Sequence, residues 1–189
     1  MKTVAVIVGS LRRDSINRRF AEVLAGVARD RLSFRFVEIG DLPLYNDDLF
    51  AEGVPAPLQR FKDEIEAADG VLFVTPEYNR SFSPAIKNAV DWGTRPWGQN
   101  SWAGKPAAIV GATPGGTGGA AGQNALKGLL NVVDTVLMGQ PEVYFVWKDG
   151  LIAEDNSVTD PATEAFLKSW AARFDDWIDR VGTPRRNAA

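Results

Sequence analysis

Short, continuously apolar runs alternate with amphipathic stretches along almost the whole chain. A strand that is buried on both faces has no polar residue at every second position, so such runs are typical of a parallel sheet covered by helices on both faces. The amphipathic stretches repeat apolar residues at helical spacing, and the first of them carries Phe20, Val23, Leu24 and Val27 on one face. The alternation therefore predicts an α/β fold.

The same pattern places five strands and five helices along the chain. The strands are expected at Thr3–Val8, Ser33–Glu38, Val71–Thr75, Ala107–Gly111 and Val136–Met138, with a further extended piece at Val143–Trp147. The helices are expected to begin near Ile16, after Pro55 and Pro57, and to run over Pro84–Trp92, about Gly119–Val132 and about Pro161–Val181. This order predicts a flavodoxin-like three-layer α/β/α sandwich with a five-stranded parallel sheet of order 2-1-3-4-5. Residues 1–181 are expected to form this single domain, and residues 182–189 a disordered tail.

The last helix is expected to pack on the sheet through an aromatic face. Its apolar residues at helical spacing are Phe166, Trp170, Phe174, Trp177 and Ile178.

Residues 9–17 join the first strand to the first helix. The free N–H groups of a first helical turn and the helix dipole together favour a negative charge. Ser10, Ser15 and Asn17 add short hydrogen-bonding side chains, and Arg12 adds a cation. The segment lacks the later glycines of G-x-G-x-x-G and the Gly-Lys-Ser/Thr ending of a P-loop, so it favours a single phosphate over a pyrophosphate. An ordinary N-cap without a ligand is the alternative interpretation.

Two more polar loops are expected beside this segment. In a doubly wound sheet, ligands bind where the strand order reverses, at the carboxyl ends of the first and third strands. The third strand is followed by residues 75–81 (TPEYNRS) and the fourth by residues 112–119 (ATPGGTGG). Tyr78 offers an aromatic wall, backbone groups of Glu77 and Asn79 can bind the polar edge of a planar ring, and glycines allow close backbone approach. The loops together predict a site for a planar heterocycle, and tight turns alone are the alternative for either one.

The residue types that are missing exclude much chemistry. The 189 residues include no Cys and no His, which rules out thiolate nucleophiles, disulfides, iron–sulfur clusters, and histidine bases or metal ligands. Difficult chemistry then has to come from a bound cofactor, and we predict no metal site. The net charge of −3 argues against nucleic acid as a partner. No apolar run approaches the roughly 18 residues of a membrane span, so we predict no membrane association and a cytoplasmic location.

Several segments resemble the NADPH-dependent FMN reductase family, in particular its chromate and quinone reductase branch. They are residues 9–17 (GSLRRDSIN), 75–79 (TPEYN), 87–92 (KNAVDW) and 104–106 (GKP), and residues 42–46 (LPLYN) are similar as well. The likeness covers about residues 3–147. It implies a flavodoxin-like fold, noncovalently bound FMN, and transfer of two electrons from NAD(P)H to quinones, flavins, azo compounds or oxidised metal ions such as chromate.

The resemblance also assigns residues to the cofactor. The three loops are implied to hold the FMN phosphate, the isoalloxazine ring, and the outer edge of the ring or the ribityl chain, in that order. The residues are Ser10, Arg12, Ser15, Ile16 and Asn17 for the phosphate, Pro76, Glu77, Tyr78 and Asn79 for the ring, and Thr113 and Gly115 for the third part. The hydride is implied to pass directly to flavin N5, so we expect no catalytic side chain. We expect Arg80 and Arg95 near the flavin loops and assign them to the phosphates of the nicotinamide nucleotide, either within one subunit or from the neighbouring subunit.

Two other functions stay open from the residues. A flavin-carrying electron-transfer or binding protein without NAD(P)H turnover would have the same loops. Residues 116–121 (GTGGAA) fit G-x-G-x-x-A between a strand and a helix and favour a nicotinamide-dependent dehydrogenase. That fingerprint needs an acidic residue about 20 positions later, where residues 137–140 read LMGQ. A structural module without a cofactor would leave three polar loops unexplained.

Trp92, Trp97 and Trp102 lie close together in the sequence. They either cover the core or form a subunit interface, because water disfavours so many large aromatic side chains. The resemblance implies an interface near the helix at Pro84–Trp92. We therefore expect a homodimer or a dimer of dimers.

Overall fold

The structure is a computed structural model that describes residues 1–182, apart from the side chain of Glu52. Its strands are β1 (Lys2–Val8), β2 (Leu32–Phe36), β3 (Gly70–Val74), β4 (Pro106–Thr113), β5 (Val136–Leu137) and β6 (Val143–Val146). Its α-helices are α1 (Ile16–Ala28), α2 (Ala56–Ala67), α3 (Pro84–Gly93), α4 (Ala120–Val132) and α5 (Pro161–Val181). A 3-10 helix at Asp47–Glu52 precedes α2 and was not predicted. Residues 183–189 of the predicted tail lie outside the described residues.

The sheet is parallel and has the order β2-β1-β3-β4-β5, with β6 also paired to β4. β5 pairs with Pro106 and Ala107 at the start of β4, and β6 pairs with Val110–Thr113 at its end. The predicted order is therefore confirmed. The extended piece predicted at Val143–Trp147 is β6, and it joins the sheet as a sixth strand because two short strands share the fifth position. The segment between them contains Pro141, which has no backbone N–H for a ladder hydrogen bond.

Helices cover both faces of the sheet, as the apolar runs predict. Side chains of β1 alternate between two buried clusters: Val4, Val6 and Val8 lie in one, and Ala5 and Ile7 in the other. The first cluster includes α1 and α5, and the second includes α2, α3 and α4. Because both faces of β1 are buried, the strand has no polar alternation. No helix within residues 1–182 combines the length and the apolarity that crossing a bilayer requires.

One expected contact of α5 is wrong. Phe166 is 43% exposed, and the side chains that face the sheet are Leu167, Trp170, Ala171, Phe174 and Ile178. At 3.6 residues per turn these five side chains lie within one stripe about 100° wide, and Phe166 lies outside that stripe.

Two of the three clustered tryptophans belong to the core. Trp92 and Trp102 have no exposed surface, whereas Trp97 is 88% exposed. The indole N–H of Trp102 donates to the carbonyl of Val90 at 2.9 Å, and a Cβ on Gly93 would lie 2.3 Å from the same ring. Of the three tryptophans that led to the predicted subunit interface, Trp97 is therefore the one that is exposed and can take part in it.

Candidate active site

The site begins at the N-terminus of α1, directly after β1. Ser15 is the N-cap: its Oγ accepts the backbone N–H of Arg18 at 3.2 Å, and its carbonyl accepts the N–H of Arg19 at 3.0 Å. The backbone N–H groups of Ile16 and Asn17 have no intrahelical acceptor at these two positions. The first turn of α1 thus offers two backbone donors and the hydroxyl hydrogen of Ser15 to an anion. Ser15 is thus an N-cap, and its role in binding a phosphate stays a prediction.

The side chain of Asn17 has a different partner from the one predicted. Its Nδ2 donates to the carbonyl of Ala112 at 2.9 Å, and its Oδ1 accepts the N–H of Ala112 at 2.9 Å. The amide is buried and joins α1 to the end of β4. The assignment is corrected in part: the amide oxygen and one Nδ2 hydrogen bind Ala112, which leaves a phosphate the second Nδ2 hydrogen and the backbone N–H of Asn17.

Arg12 provides a free cation beside this turn. Within residues 1–182 its guanidinium has no hydrogen-bond or ion-pair partner. Arg12 and Ser10 line a pocket of about 380 Å³ between the first loop and residues 37–40, which follow β2. Arg18 also lines this pocket, but it is paired with Glu22 at 3.0 Å. Arg12 is therefore the guanidinium that remains available for an anionic ligand here.

The loop after β3 forms a tight two-residue hairpin. Tyr78 and Ser81 exchange backbone hydrogen bonds of 2.9 and 3.0 Å. The two residues between them, Asn79 and Arg80, both have positive φ, at 51° and 67°. Positive φ at both central positions is the geometry of a type I′ turn, which Asn tolerates well. The turn leaves the Tyr78 side chain 42% exposed, so its ring is available as an aromatic wall.

The loop after β4 is open at its glycines. Thr113 ends β4, and its Oγ1 accepts the N–H of Gly115 at 3.2 Å. A Cβ on Gly116 would meet no atom within 4 Å, so the backbone here has room for a ligand to approach. Gly118 differs, because a Cβ there would lie 2.4 Å from the carbonyl of Tyr144. Gly118 therefore packs against the protein, whereas Gly115 and Gly116 form an exposed rim of this loop.

Close backbone contacts bring the three loops together. The N–H of Gly9 donates to the carbonyl of Val74 at 2.9 Å, and a Cβ on Gly9 would lie 2.5 Å from Oγ of Ser83. A Cβ on Gly111 would lie 2.5 Å from the carbonyl of Thr75. Sequence reasoning missed Ser83, the N-cap of α3, although a serine directly before the helix-starting proline is a recognisable signal.

Arg80 and Arg95, which we assigned to the phosphates of the nicotinamide nucleotide, lie in different parts of the chain. Arg80 lies in the hairpin after β3, is 74% exposed, and reaches to 3.5 Å from the carboxylate of Glu77. Arg95 follows the C-terminal end of α3, where its Nε donates to Tyr45 Oη at 2.9 Å. Ten residues of α3 span about 15 Å, so within one chain Arg95 lies a helix length from the hairpin. Within one chain Arg95 therefore does not lie beside the hairpin, and its approach to the flavin loops from a neighbouring subunit stays a prediction.

The segment 87–92 has a structural role. Asn88 accepts the N–H of Tyr45 at 2.8 Å and donates to the carbonyl of Pro43 at 2.9 Å. The indole N–H of Trp92 donates to the same Pro43 carbonyl at 2.7 Å. These bonds hold residues 42–46 along α3. The two segments that resemble the family, residues 42–46 and 87–92, therefore contact each other in the structure.

Lys105, in the segment 104–106, is also structural. Its ammonium is buried and donates to the carbonyls of Glu66 and Ala68 at the C-terminal end of α2. Burial lowers the pKa of Lys105, while the negative charges of Asp69 and Glu66 act in the opposite direction. This lysine stabilises the end of a helix on the edge of the sheet away from the three loops.

The donor set fits the phosphate of a mononucleotide. The α1 turn and Arg12 supply backbone donors, a hydroxyl and a cation, which suits a dianionic monoester. The Tyr78 ring and the open backbone at Gly115 and Gly116 leave space for a planar ring on the same edge of the sheet. Fold and site together define a flavodoxin-like mononucleotide-binding protein.

The chain belongs to the NADPH-dependent FMN reductase family, whose sequence profile matches residues 2–148. It is 46% identical over 176 residues to a quinone reductase of Pseudomonas putida, covering 93% of this chain and 94% of that protein. It is 44% identical over 175 residues to a 2-hydroxy-1,4-benzoquinone reductase of Burkholderia sp., covering 93% and 95%. The solved structure of FerB, a flavoenzyme NAD(P)H:(acceptor) oxidoreductase from Paracoccus denitrificans, superposes with a TM-score of 0.94 at 53% identity, covering 96% of this chain and all of that one.

Membership settles the class of chemistry. The protein is an NAD(P)H-dependent oxidoreductase that uses FMN. The interpretation as an electron-transfer protein without turnover is therefore wrong, and so is the dehydrogenase interpretation of residues 116–121. In the structure those residues follow β4, away from the strand reversal between β1 and β3.

Proposed function

We propose that this protein transfers two electrons from NAD(P)H to quinones. The observation that carries the proposal is the joint placement of a monophosphate donor site at α1, an exposed aromatic wall at Tyr78 and an open glycine rim at one edge of the sheet. The two quinone reductases that resemble this chain over more than nine-tenths of its length support quinones as acceptors.

Each loop has a separate task in this proposal. Ser15 and the N–H groups of Ile16 and Asn17 bind the phosphate, with Arg12 and Ser10 at its side. Residues 76–79 and Tyr78 in particular orient the ring, and Thr113 and Gly115 border its outer edge or the ribityl chain. Held by these residues, FMN would supply two-electron redox chemistry between NAD(P)H and the acceptor. Arg80, exposed at the rim, is placed to meet a phosphate of the nicotinamide nucleotide.

The proposal requires no catalytic side chain. The chain contains no His, and the carboxylate of Glu77 already binds Gly122 and faces Arg80. Protons for the reduced acceptor then come from solvent at the exposed rim. A site without a buried polar constellation discriminates weakly between analogues, so we extend the proposal to flavins, azo compounds and oxidised metal ions such as chromate.

The spectrum of the purified protein tests the proposal. We expect the absorption of oxidised flavin, one FMN per chain released by denaturation, bleaching by NADPH or NADH in the absence of air, and return of the colour when benzoquinone is added. A colourless protein that takes up no FMN contradicts the proposal. Extraction of FAD contradicts the monophosphate site.

Two further parts of the proposal concern context. We propose that the enzyme is a homodimer or a dimer of dimers, with Trp97 as the exposed aromatic residue at the contact. We also propose that it works in the cytoplasm on small-molecule acceptors.

A further inference from the structure

Glu77 is an acidic residue whose carboxylate turns into the protein. It lies between Pro76 and Tyr78 in the loop after β3, yet its side chain is only 12% exposed. Oε2 accepts the backbone N–H of Gly122 at 3.1 Å, and Oε1 lies 3.5 Å from the guanidinium of Arg80. Both carboxylate oxygens therefore bind protein groups.

Gly122 is in the first turn of α4, where backbone N–H groups need acceptors from outside the helix. An N-cap side chain commonly accepts this third N–H. The N-cap of α4 is Gly119, which has φ of 79° and no side chain to do so. Glu77 supplies the missing acceptor from the neighbouring loop, and its negative charge lies at the positive end of the helix dipole.

The backbone of the loop after β3 also lies in direct contact with the backbone of Gly122. A Cβ on Gly122 would lie 2.9 Å from the carbonyl of Ser81 and 3.2 Å from Cα of Glu77. The hairpin at residues 78–81 thus rests directly on the first turn of α4. That turn continues the loop at residues 113–119, so the hydrogen bond couples two of the three loops of the site.

We propose that Glu77 is a positioning residue, whose carboxylate holds the hairpin and the glycine-rich loop in one arrangement and places a fixed negative charge beside the ring site. The inference rests on the proposed function, because the arrangement of these loops matters for catalysis only if they hold FMN. In this proposal the Glu77 side chain has two effects. The hydrogen bond orders the loops, and the charge acts on the cofactor, since a nearby negative charge opposes the addition of electrons.

Two variants separate these effects. Glu77→Ala removes both the acceptor and the charge, whereas Glu77→Gln keeps an amide oxygen for Gly122 and removes the charge together with the ion pair to Arg80. Asp160→Ala is the matched control, because Asp160 accepts the N–H of Thr163 at 2.8 Å and caps α5 on the opposite face of the sheet. The readouts are amide hydrogen exchange over residues 113–122 of the apoprotein, the Kd for FMN, and the midpoint potential of the bound flavin.

We expect faster exchange over residues 113–122 and a Kd for FMN that is raised about tenfold in Glu77→Ala, the scale of one lost hydrogen bond. In Glu77→Gln we expect exchange and Kd close to those of the wild type and a more positive midpoint potential. Asp160→Ala is expected to unfold more easily while its exchange over residues 113–122 and its Kd stay unchanged.

Wild-type exchange and Kd in Glu77→Ala would overturn the ordering role, and a wild-type potential in Glu77→Gln would overturn the role of the charge. If Glu77→Ala does not fold, exchange and potential in Glu77→Gln still test the proposal. A wild-type protein that binds no FMN instead contradicts the proposed function, and exchange in the apoprotein still tests the contact between Glu77 and Gly122.

Discussion

Asn17 and Ala112 are joined by two hydrogen bonds of 2.9 Å each, one accepted and one donated by the Asn17 amide. The pair connects the start of α1 with the end of β4 across 95 positions of sequence. It therefore aligns the phosphate turn with the loop that follows β4, and it does so from the interior of the protein.

Replacement of Asn17 by Ala is expected to lower the free energy of unfolding by about 2–4 kcal/mol, because two buried backbone groups of Ala112 lose their partner. Urea unfolding monitored by tryptophan fluorescence measures the change. Asn131→Ala removes an exposed amide from α4 and serves as the control, with an expected effect of less than about 0.5 kcal/mol. Equal stability of Asn17→Ala and the wild type would show that the pair contributes nothing to the fold.

Replacement of Arg12 by Ala is expected to weaken FMN binding without affecting the fold, because the guanidinium is exposed and has no partner within residues 1–182. A charge-assisted hydrogen bond contributes about 1.5–3 kcal/mol, so Kd should rise roughly tenfold to a hundredfold. Fluorescence quenching of FMN by the apoprotein gives the value. Arg13→Ala is the control at the neighbouring exposed position, and equal effects of both variants would indicate a general charge effect instead of a specific bond.

Steady-state kinetics are expected to follow two half-reactions through one site. In the proposed site, NAD(P)H and the acceptor reach the ring by the same rim, which carries Tyr78 and Gly115, so NAD(P)H has to leave before the acceptor enters. Double-reciprocal plots at several acceptor concentrations should be parallel, and acceptors should rank by redox potential and planarity. Intersecting lines would mean that both substrates bind at the same time.

The stability of the wild type is expected to fall more steeply in acid than that of Glu142→Gln. Hydrogen bonds from Lys127 and from the Tyr144 hydroxyl lower the pKa of Glu142 below its ordinary value of 4.5. A lowered pKa in the folded state means that the carboxylate contributes stability above pH 4.5, and that this contribution disappears as the pH falls through the lower, folded-state pKa. Urea unfolding at pH 7 and at pH 3 should show a larger difference between the two proteins at pH 7. Glu154→Gln, at an exposed position of the loop before α5, controls for loss of a surface charge.

Substitution of a buried tryptophan by Ala is expected to lower stability, whereas substitution of an exposed one is expected to weaken self-association. Trp102→Ala should cost about 3–5 kcal/mol of stability, because it leaves a cavity in the core. Trp97→Ala should leave stability within about 0.5 kcal/mol and weaken self-association, since the side chain is 88% exposed. Sedimentation at micromolar concentration measures association. A wild-type protein that sediments as a monomer and reduces quinone at full rate would remove the basis for the interface.

The sequence determined the architecture and predicted three polar loops at one edge of the sheet. Periodicity is a local property, so it predicted the helices, the strands and the burial of both sheet faces, and the alternating order of these elements predicted the sheet order. The Ser15 cap and the Tyr78–Ser81 turn also depend on neighbouring residues, and both lie where the sequence places polar loops.

Only the tertiary structure decided which side chains remain available for a ligand. Asn17 binds Ala112, 95 positions away, and Glu77 binds Gly122, 45 positions away. Trp92 and Trp102 are buried, and Arg95 lies at the far end of α3. Hydrogen bonds and burial of this kind depend on how close the elements come in space, and a short, flexible polar side chain fits a ligand or a distant backbone group equally well. The local pattern therefore identified the loops, and the packing between elements assigned the individual atoms.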